Sequence, residues 1–211
     1  MTKKIELRSE ETKRSILAAS SKLFTEKGFS AVSIREIAKQ AGCSHTTIYI
    51  YFKDKEALLH AISMPLLEEL KQKFQHILNH LEQPSEAKLY EISIEFIHFC
   101  LIHQSMYKIL FQTQTTRVDE KEPESNLNKL RNELFELLMQ SLQKSLGLKT
   151  ESEELLEYTR IYYYTLQGIV TTYSFSNEPL NQIMKRLNTT FESAFEVLLL
   201  GFKQKLNIGV D

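Results

Sequence analysis

Glycine and proline, the residues that most often interrupt regular structure, are scarce in this chain. The 211 residues include 6 Gly and 4 Pro, too few for the many tight turns of an all-β protein. Apolar residues make up 42% and charged residues 25%, a composition typical of globular proteins. We therefore expect an all-α fold of long amphipathic helices joined by short connections.

The sequence contains no membrane or export signal. No apolar run approaches the ~18 residues of a membrane-spanning helix, and charged residues, not an apolar signal segment, follow the N-terminus. Cys43 and Cys100 match no metal or redox spacing. We expect a cytoplasmic protein without disulfides, in which Cys43 is a small buried hydrophobe rather than a redox switch.

Charge is distributed unevenly along the chain. Residues 1–60 hold 11 Lys/Arg and 7 Asp/Glu, a net charge of +4, whereas residues 61–211 hold 15 and 20, a net charge of −5. A basic end joined to an acidic remainder is typical of a protein that binds nucleic acid at one end. Chance unevenness explains the same numbers, so the asymmetry indicates a function only together with the motifs that follow.

Three helices are predicted in the first sixty residues. Apolar residues recur at helical spacing over 10–28. A second helix begins after Ser33, whose hydroxyl and the Glu36 carboxylate form a capping-box pattern. A tight turn follows, and Ser44 caps a short third helix over 45–52. Together these elements predict a three-helix domain that contains a helix-turn-helix.

The third helix has an inward and an outward side. At 100° per residue, Ile48 and Phe52 share one side, and Thr46 and Ile50 point away from it, with Tyr49 on the flank. An outward face of hydroxyls, a phenol and an aliphatic side chain, placed after a helix and a turn, is typical of a DNA-reading helix. The alternative is an ordinary capped helix of a helical bundle.

Three segments of this region together resemble a known family. They read Ser33-Ile-Arg-Glu-Ile37-Ala38, Ala41-Gly42-Cys43-Ser44 and Ile48-Tyr49-Ile-Tyr51-Phe52-Lys-Asp-Lys55-Glu56-Ala-Leu58. The pattern resembles the DNA-binding domain of the TetR/AcrR family of bacterial transcriptional regulators. The resemblance implies a helix-turn-helix DNA-binding domain over residues 1–54 and a helical effector-binding and dimerisation domain over 55–211. It also implies a homodimer that binds a palindromic operator in double-stranded DNA.

The resemblance also implies roles for single residues of this sequence. Contacts to base edges fall to His45, Thr46, Tyr49 and Ile50. Contacts to phosphates fall to Ser33, Ser44, Thr47, Tyr51 and Lys55. Because the Ile50 side chain has no donor or acceptor, we expect it to meet a thymine methyl group.

The rest of the chain is predicted to form long helices with short breaks. The predicted spans are 55–82, 85–103, 105–113, 124–147, 151–175 and 180–206. The charged stretch 119–124 is predicted to be a solvated, mobile loop.

Aromatic side chains with polar tips in these helices suit a pocket for a drug-sized apolar or cationic effector. The effector-binding candidates are Phe99, His103, Tyr107, Phe111, Tyr163 and Gln167. The alternative is that most of them are core residues.

A broad apolar stripe on the last helix predicts a dimer interface, with a small residue in the preceding helix for close packing. The interface candidates are Gly168, Leu187, Phe191, Ala194, Phe195 and Leu198. A two-fold dimer would match a palindromic operator. The alternative is that the stripe forms an intramolecular core.

Catalytic motifs are not found in the sequence, and we predict no catalytic residue, metal or cofactor. His76 and His80 have a spacing that can bind a metal on one helix face, but no third ligand is marked. The predicted function is a ligand-responsive repressor that releases its operator when a small molecule binds. The alternatives are a helical protein-binding adaptor and a metal-dependent enzyme that uses the two histidines.

Overall fold

Helices are the only regular elements in the described part of the chain, which confirms the predicted all-α class. The structure, a computed structural model, describes residues 2–104, 107, 111, 117–120, 122, 123, 125–149, 152–174 and 176–208, with side chains between residues 7 and 206. The helices are α1 (Thr2–Lys27), α2 (Ile34–Ala41), α3 (His45–Tyr51), α4 (Lys55–Asn79), α5 (Ser85–Ile102), α6 (Asn126–Leu146), α7 (Glu153–Tyr173) and α8 (Leu180–Ile208).

Most predicted helix ends lie within a few residues of the observed ones, and α1 is the main exception. It begins at Thr2 instead of residue 10, because residues 2–9 lack glycine and proline and are mostly good helix formers even without an apolar stripe. The predicted helix over 105–113 lies almost entirely outside the described residues. None of the described helices is long and apolar enough to cross a membrane.

The chain divides into two compact units. Unit 1 comprises residues 1–68 and 103–115, and unit 2 comprises residues 69–102 and 116–211. Helix α4 contributes its first part to unit 1 and its second part to unit 2. The predicted boundary at residue 54 stays a prediction.

Unit 1 is held together by apolar side chains from each of its first four helices. Fully buried representatives are Ile16 and Phe24 of α1, Ile37 of α2, Ile48 of α3 and Leu58 of α4. Helix α2 packs on both α1 and α3. Burying a side chain of this size stabilises the fold by about 1.5–3 kcal/mol, so these five positions fix where α3 lies on the surface of unit 1.

In unit 2, α5 packs against α6, α7 and α8 around an aromatic core. A hydroxyl chain runs through this core: Ser93 Oγ donates to the Leu89 carbonyl (2.7 Å) and lies 2.8 Å from the Tyr162 hydroxyl. Because serine has a single hydroxyl hydrogen, the Tyr162 hydroxyl must be the donor to Ser93. Burial raises the pKa of Tyr162 well above its ordinary value.

The acidic stretch after residue 118 is partly fixed, which corrects the prediction of a solvated loop over 119–124. The Asp119 side chain is 10% exposed. Asp119 accepts from Arg117 Nε (3.1 Å) and from Arg160 Nε on α7 (2.9 Å). These guanidinium groups lower the pKa of Asp119, with the hydrogen bond from Arg117 as the largest cause. Charge composition predicted solvation, but a carboxylate paired with two arginines is held in place.

Candidate nucleic-acid interface

The turn between α2 and α3 is built by local hydrogen bonds at both helix ends. The predicted capping box is present at the start of α2: Ser33 Oγ accepts from the Glu36 backbone N–H (3.3 Å), and Glu36 Oε2 accepts from the Ser33 N–H (2.9 Å). Gly42 caps the C-terminal end of α2, and its φ of 69° lies in the left-handed region. The Cys43 N–H then bonds back to the Ala38 carbonyl at 3.0 Å.

These contacts also set the charge state at the start of α2. The Ser33 N–H, the Lys27 ammonium at 3.0 Å and the Ser33 hydroxyl lower the pKa of Glu36 to about 2. Cys43 is half-buried, whereas the sequence predicted a small buried hydrophobe, because Cys43 lies in the turn itself and not on an apolar helix face. Its partial burial raises the pKa of the Cys43 thiol.

Helix α3 presents the two sides that its sequence predicts. Ser44 caps it by accepting from the Thr47 N–H at 3.0 Å, and Ile48 and Phe52 are buried in unit 1. Both hydrophobic anchors are thus on the inner side. This arrangement presents the opposite side of α3 to solvent.

That outer side carries all four residues expected to contact bases. Tyr49 is 52% exposed and Ile50 is 76% exposed, and His45 and Thr46 are exposed beside them. Exposed apolar side chains mark interaction sites when they cluster. The outer face therefore combines hydrogen-bonding groups with an apolar contact.

The residues expected to contact phosphates have different surroundings. Ser33 and Ser44 are exposed, and Thr47 is half-buried with its hydroxyl 2.8 Å from that of Ser44. Tyr51 is half-buried, and its hydroxyl lies 3.1 Å from Ser9 Oγ on α1. Ser33 Oγ donates its only hydrogen to Glu36 Oε2 at 2.9 Å, and one of the paired Ser44 and Thr47 hydroxyls donates to the other. The second hydroxyl of that pair and the Tyr51 hydroxyl can donate to a phosphate oxygen.

Lys55 has a structural role that the sequence did not predict. Its ammonium donates to the carbonyl oxygens of Phe29 (2.8 Å) and Val32 (2.9 Å) and lies 4.3 Å from the centre of the Phe29 ring. It thereby ties the α1–α2 connection to the first residue of α4. One of its three N–H groups remains for a phosphate.

Two residues that support the predicted interface, Ser9 and Phe29, were missed by sequence reasoning. Ser9 lies in the part of α1 that the apolar pattern did not include, and its partner is 42 residues away. Phe29 packs on Phe24 with ring centres 5.2 Å apart, and its contact with Lys55 spans 26 residues. No local pattern encodes contacts over such separations.

The residues predicted to bind an effector are divided between the two units, and in each unit some of them are in contact. In unit 1, the rings of Tyr107 and Phe111 stack with centres 5.6 Å apart, and the Tyr107 N–H bonds to the His103 carbonyl at 2.7 Å. In unit 2, Gln167 Nε2 donates to the Tyr163 hydroxyl at 2.6 Å. Phe99 is half-buried on α5.

Tyr163 is surrounded by core residues of unit 2. Its ring lies against Phe135 (5.6 Å between ring centres) and Phe96 (6.1 Å). Its phenol also bonds to the guanidinium of Arg131, a buried cation whose Nη1 donates to Asn128 Oδ1 at 2.9 Å. Burial lowers the pKa of Arg131. Sequence reasoning missed Arg131, because an arginine in a helix is usually a surface residue.

The dimer candidates divide into buried and accessible residues. Leu187, Phe191 and Phe195 are buried within the chain itself. Phe195 packs on Tyr162 (5.5 Å between ring centres) and Phe191 on Tyr173 (6.2 Å). The alternative of an intramolecular core therefore holds for these three residues, whose apolar pattern could not reveal which surface covers them.

The remaining dimer candidates are accessible. Gly168 is exposed, and Ala194 and Leu198 are half-buried. On the same helix as the last two, Val197 and Leu200 are 67% and 58% exposed. This apolar surface on α7 and α8 is available to a partner.

The two histidines do not share a helix face. Helix α4 ends at Asn79, so His80 lies beyond it, and the predicted pairing of His76 with His80 on one face is wrong. Among the residues that the structure describes, no group of three His, Cys, Asp or Glu side chains could hold a metal ion.

Comparisons with known proteins agree with this geometry. Residues 16–62 match the family model "Bacterial regulatory proteins, tetR family". The chain is 33% identical over 99 residues to the uncharacterised HTH-type transcriptional regulator YhgD of Bacillus subtilis, covering 47% of this chain and 51% of that protein. It is 31% identical over 103 residues to the HTH-type transcriptional regulator AcrR of Shigella flexneri, covering 49% of this chain and 44% of that protein. The matches thus span about half the length of these relatives.

The fold has relatives among solved structures. The TetR family transcriptional regulator PfmR from Thermus thermophilus superposes with a TM-score of 0.62 at 20% identity, over 87% of this chain and 96% of that one. This likeness extends over both units and concerns the fold. Residues 16–62 thus form a domain that matches the tetR family of bacterial regulatory proteins, and the fold of the chain is similar to that of a solved TetR family regulator.

Proposed function

We propose that the protein is a cytoplasmic, non-enzymatic, homodimeric repressor that binds a palindromic DNA operator and releases it when a small molecule binds. The observation that carries the DNA-binding part is the outer face of α3. It exposes Tyr49 and Ile50 on a helix whose inner side is anchored by Ile48 and Phe52. A short helix presented in this way fits the major groove, where bases can be distinguished by their hydrogen-bonding edges and methyl groups.

Each base contact has a chemical rationale in this proposal. The Tyr49 hydroxyl and the groups of His45 and Thr46 can donate to or accept from base edges. Ile50 packs on a thymine methyl group. The operator therefore contains at least one A·T pair at the position that faces Ile50.

Phosphate contacts set the register of α3 in the groove. The paired Ser44 and Thr47 hydroxyls and the Tyr51 hydroxyl offer donors, Ser33 offers its hydroxyl once it turns away from Glu36, and Lys55 offers its third N–H. Such contacts fix orientation without reading sequence. The net charge of +4 on residues 1–60 favours the approach to DNA.

Two-fold symmetry of the operator requires two reading helices in successive major grooves, about 34–36 Å apart. We assign the dimer contact to the accessible surface of α7 and α8. Gly168, Ala194, Val197, Leu198 and Leu200 combine small and apolar side chains there. Small residues permit close helix packing, and apolar residues supply the free energy of association.

Effector response is assigned to residues 55–211. Tyr163, Gln167 and Arg131 supply polar groups within an aromatic setting, which suits a drug-sized molecule. The effector must bind the DNA-free state more tightly, because equal binding to both states shifts nothing. A 100-fold loss of DNA affinity corresponds to about 2.7 kcal/mol of coupling.

The first experiment selects duplexes from a random pool with the purified full chain. We expect enrichment of a palindrome, and a mobility shift of that palindrome that weakens steeply as salt increases. A Tyr49→Ala/Ile50→Ala variant should lose the specific shift. Leu81→Ala is the matched control, since Leu81 is 96% exposed and lies outside the proposed interface.

Different results test different parts of the proposal. Enrichment of no sequence, or an unchanged shift with the double variant, contradicts DNA reading by α3. A monomeric mass in light scattering at micromolar concentration contradicts the dimer. Chemicals that release the DNA are then sought with the selected duplex, and an effector that binds free and DNA-bound protein equally contradicts the response.

A further inference from the structure

The hydrogen bond between Ser9 and Tyr51 connects two parts of unit 1 that are distant in sequence. Ser9 lies in the first half of α1, and Tyr51 is the last residue of α3. Their hydroxyl oxygens are 3.1 Å apart, and both side chains are half-buried. No capping or turn motif explains the contact, because 42 residues separate the two.

Tyr51 needs such a partner to hold its phenol in place. It is followed directly by Phe52, whose φ of −137° and ψ of 122° leave the helix. A helical side chain lies over the turn that precedes its own residue, and the Tyr51 hydroxyl is also in contact with Ser9 of α1. A hydroxyl from α1 limits the positions that the ring can adopt.

The chemistry of a phosphate fixes the direction of the bond. A hydroxyl has one hydrogen to donate, and phosphate oxygens accept hydrogen bonds. If the Tyr51 hydroxyl donates to a phosphate, it must accept from Ser9. The chain then runs from Ser9 Oγ–H to Tyr51 Oη–H to the phosphate oxygen, and successive hydrogen bonds of this kind polarise one another.

We propose that Ser9 is a positioning residue for DNA binding: it donates to the Tyr51 phenol and aims its hydroxyl at the DNA backbone. The inference rests on the proposed function, since it requires that Tyr51 meet a phosphate. It extends the binding apparatus into α1, beyond the helix-turn-helix. Ser9 itself does not touch DNA.

A double-mutant cycle in DNA affinity tests the inference. The variants are Ser9→Ala, Tyr51→Phe and the two combined, measured on the selected palindrome at fixed salt. We expect each single variant to weaken binding about fivefold, the equivalent of one hydrogen bond. The combined variant should bind no more weakly than Tyr51→Phe, because Ser9 acts only through the Tyr51 hydroxyl.

Three further measurements separate positioning from a general loss of fold. Ser9→Thr keeps a hydroxyl and should bind like the original chain. Ser15→Ala, an exposed position on the same helix, is the matched control and should have no effect. The preference among base pairs and the slope of affinity against salt should stay the same in Ser9→Ala, because a neutral contact to the backbone releases no counterion.

The results distinguish this inference from the proposed function. Additive losses in the cycle, or failure of Ser9→Thr to restore affinity, overturn the role of Ser9 while leaving DNA reading intact. A changed base preference in Ser9→Ala also overturns it. If the original chain selects no duplex, both proposals fail.

Discussion

Replacement of Lys55 by methionine should destabilise unit 1 even when no DNA is present. The change keeps the aliphatic stem but removes the ammonium that bonds to the carbonyls of Phe29 and Val32 and lies over the Phe29 ring. A hydrogen bond to a charged group contributes about 1.5–3 kcal/mol, and partial exposure places these two near the lower end. Water can replace the ammonium as a donor to the two carbonyl oxygens. Lys55→Met should therefore lower the free energy of unfolding by about 2–3 kcal/mol.

Urea unfolding followed by circular dichroism measures this loss. With a slope of about 1–3 kcal/mol per molar urea, the midpoint should fall by roughly 1 M. Amide hydrogen exchange should show the lost protection in α1 to α3 and in the start of α4. Lys53→Met is the matched control, because Lys53 is exposed two residues earlier.

A pure phosphate contact at Lys55 predicts the opposite pattern. The midpoint of Lys55→Met would then equal that of the original chain, and the only change would be a decrease of about 0.9 in the salt slope of DNA binding. An unchanged midpoint together with unchanged hydrogen exchange would refute the structural role that we assign to Lys55.

Three further predictions follow from single contacts. Gly42→Ala should destabilise unit 1 by about 1–2 kcal/mol in urea unfolding, because the backbone at Gly42 has a positive φ although the space around it is open. Ser93→Ala should lower the free energy of unfolding by about 1–3 kcal/mol in the same assay, because it leaves the buried Tyr162 phenol without an acceptor. Tyr162→Phe should lower it by only about 1 kcal/mol, because Ser93 keeps its bond to the Leu89 carbonyl. The pKa of Glu36 is lowered from 4.5 to about 2, so the stability that its carboxylate contributes should be complete above pH 4.5 and lost as the pH falls towards 2. Glu36→Gln should remove that part of the acid dependence. Equal stability-against-pH profiles for the variant and the original chain would contradict the prediction.

The helices and caps of the helix-turn-helix region could be predicted because they depend on local sequence signals. A helix period determines which side of α3 is apolar, and the caps at Ser33 and Ser44 act within three residues of themselves. Both kinds of information are present in a short stretch of sequence. The contacts of Lys55 and Ser9 join residues that are 23 to 42 positions apart in the sequence. A sequence pattern does not show which distant carbonyl or hydroxyl will lie close to these two side chains.

The second unit was harder to predict for a different reason. The apolar stripe of α8 was recognised, but periodicity does not say whether the same chain or a second copy covers it. Phe191 and Phe195 prove to be covered by aromatic rings of the same chain. Asp119 shows the same limit for charge, because a carboxylate in an acidic run can still find arginines from another helix.

The division of α3 into an anchored side and an outer side has a consequence for how such a protein can change over time. Seven residues are too few for a stable helix in isolation, so the shape of α3 depends on Ser44, Ile48 and Phe52. Thr46 and Ile50 contribute little to that shape, since they face solvent. Substitutions at these two outer positions can therefore alter the preferred DNA sequence with little change in folding stability, which leaves a descendant free to acquire a new operator one base pair at a time.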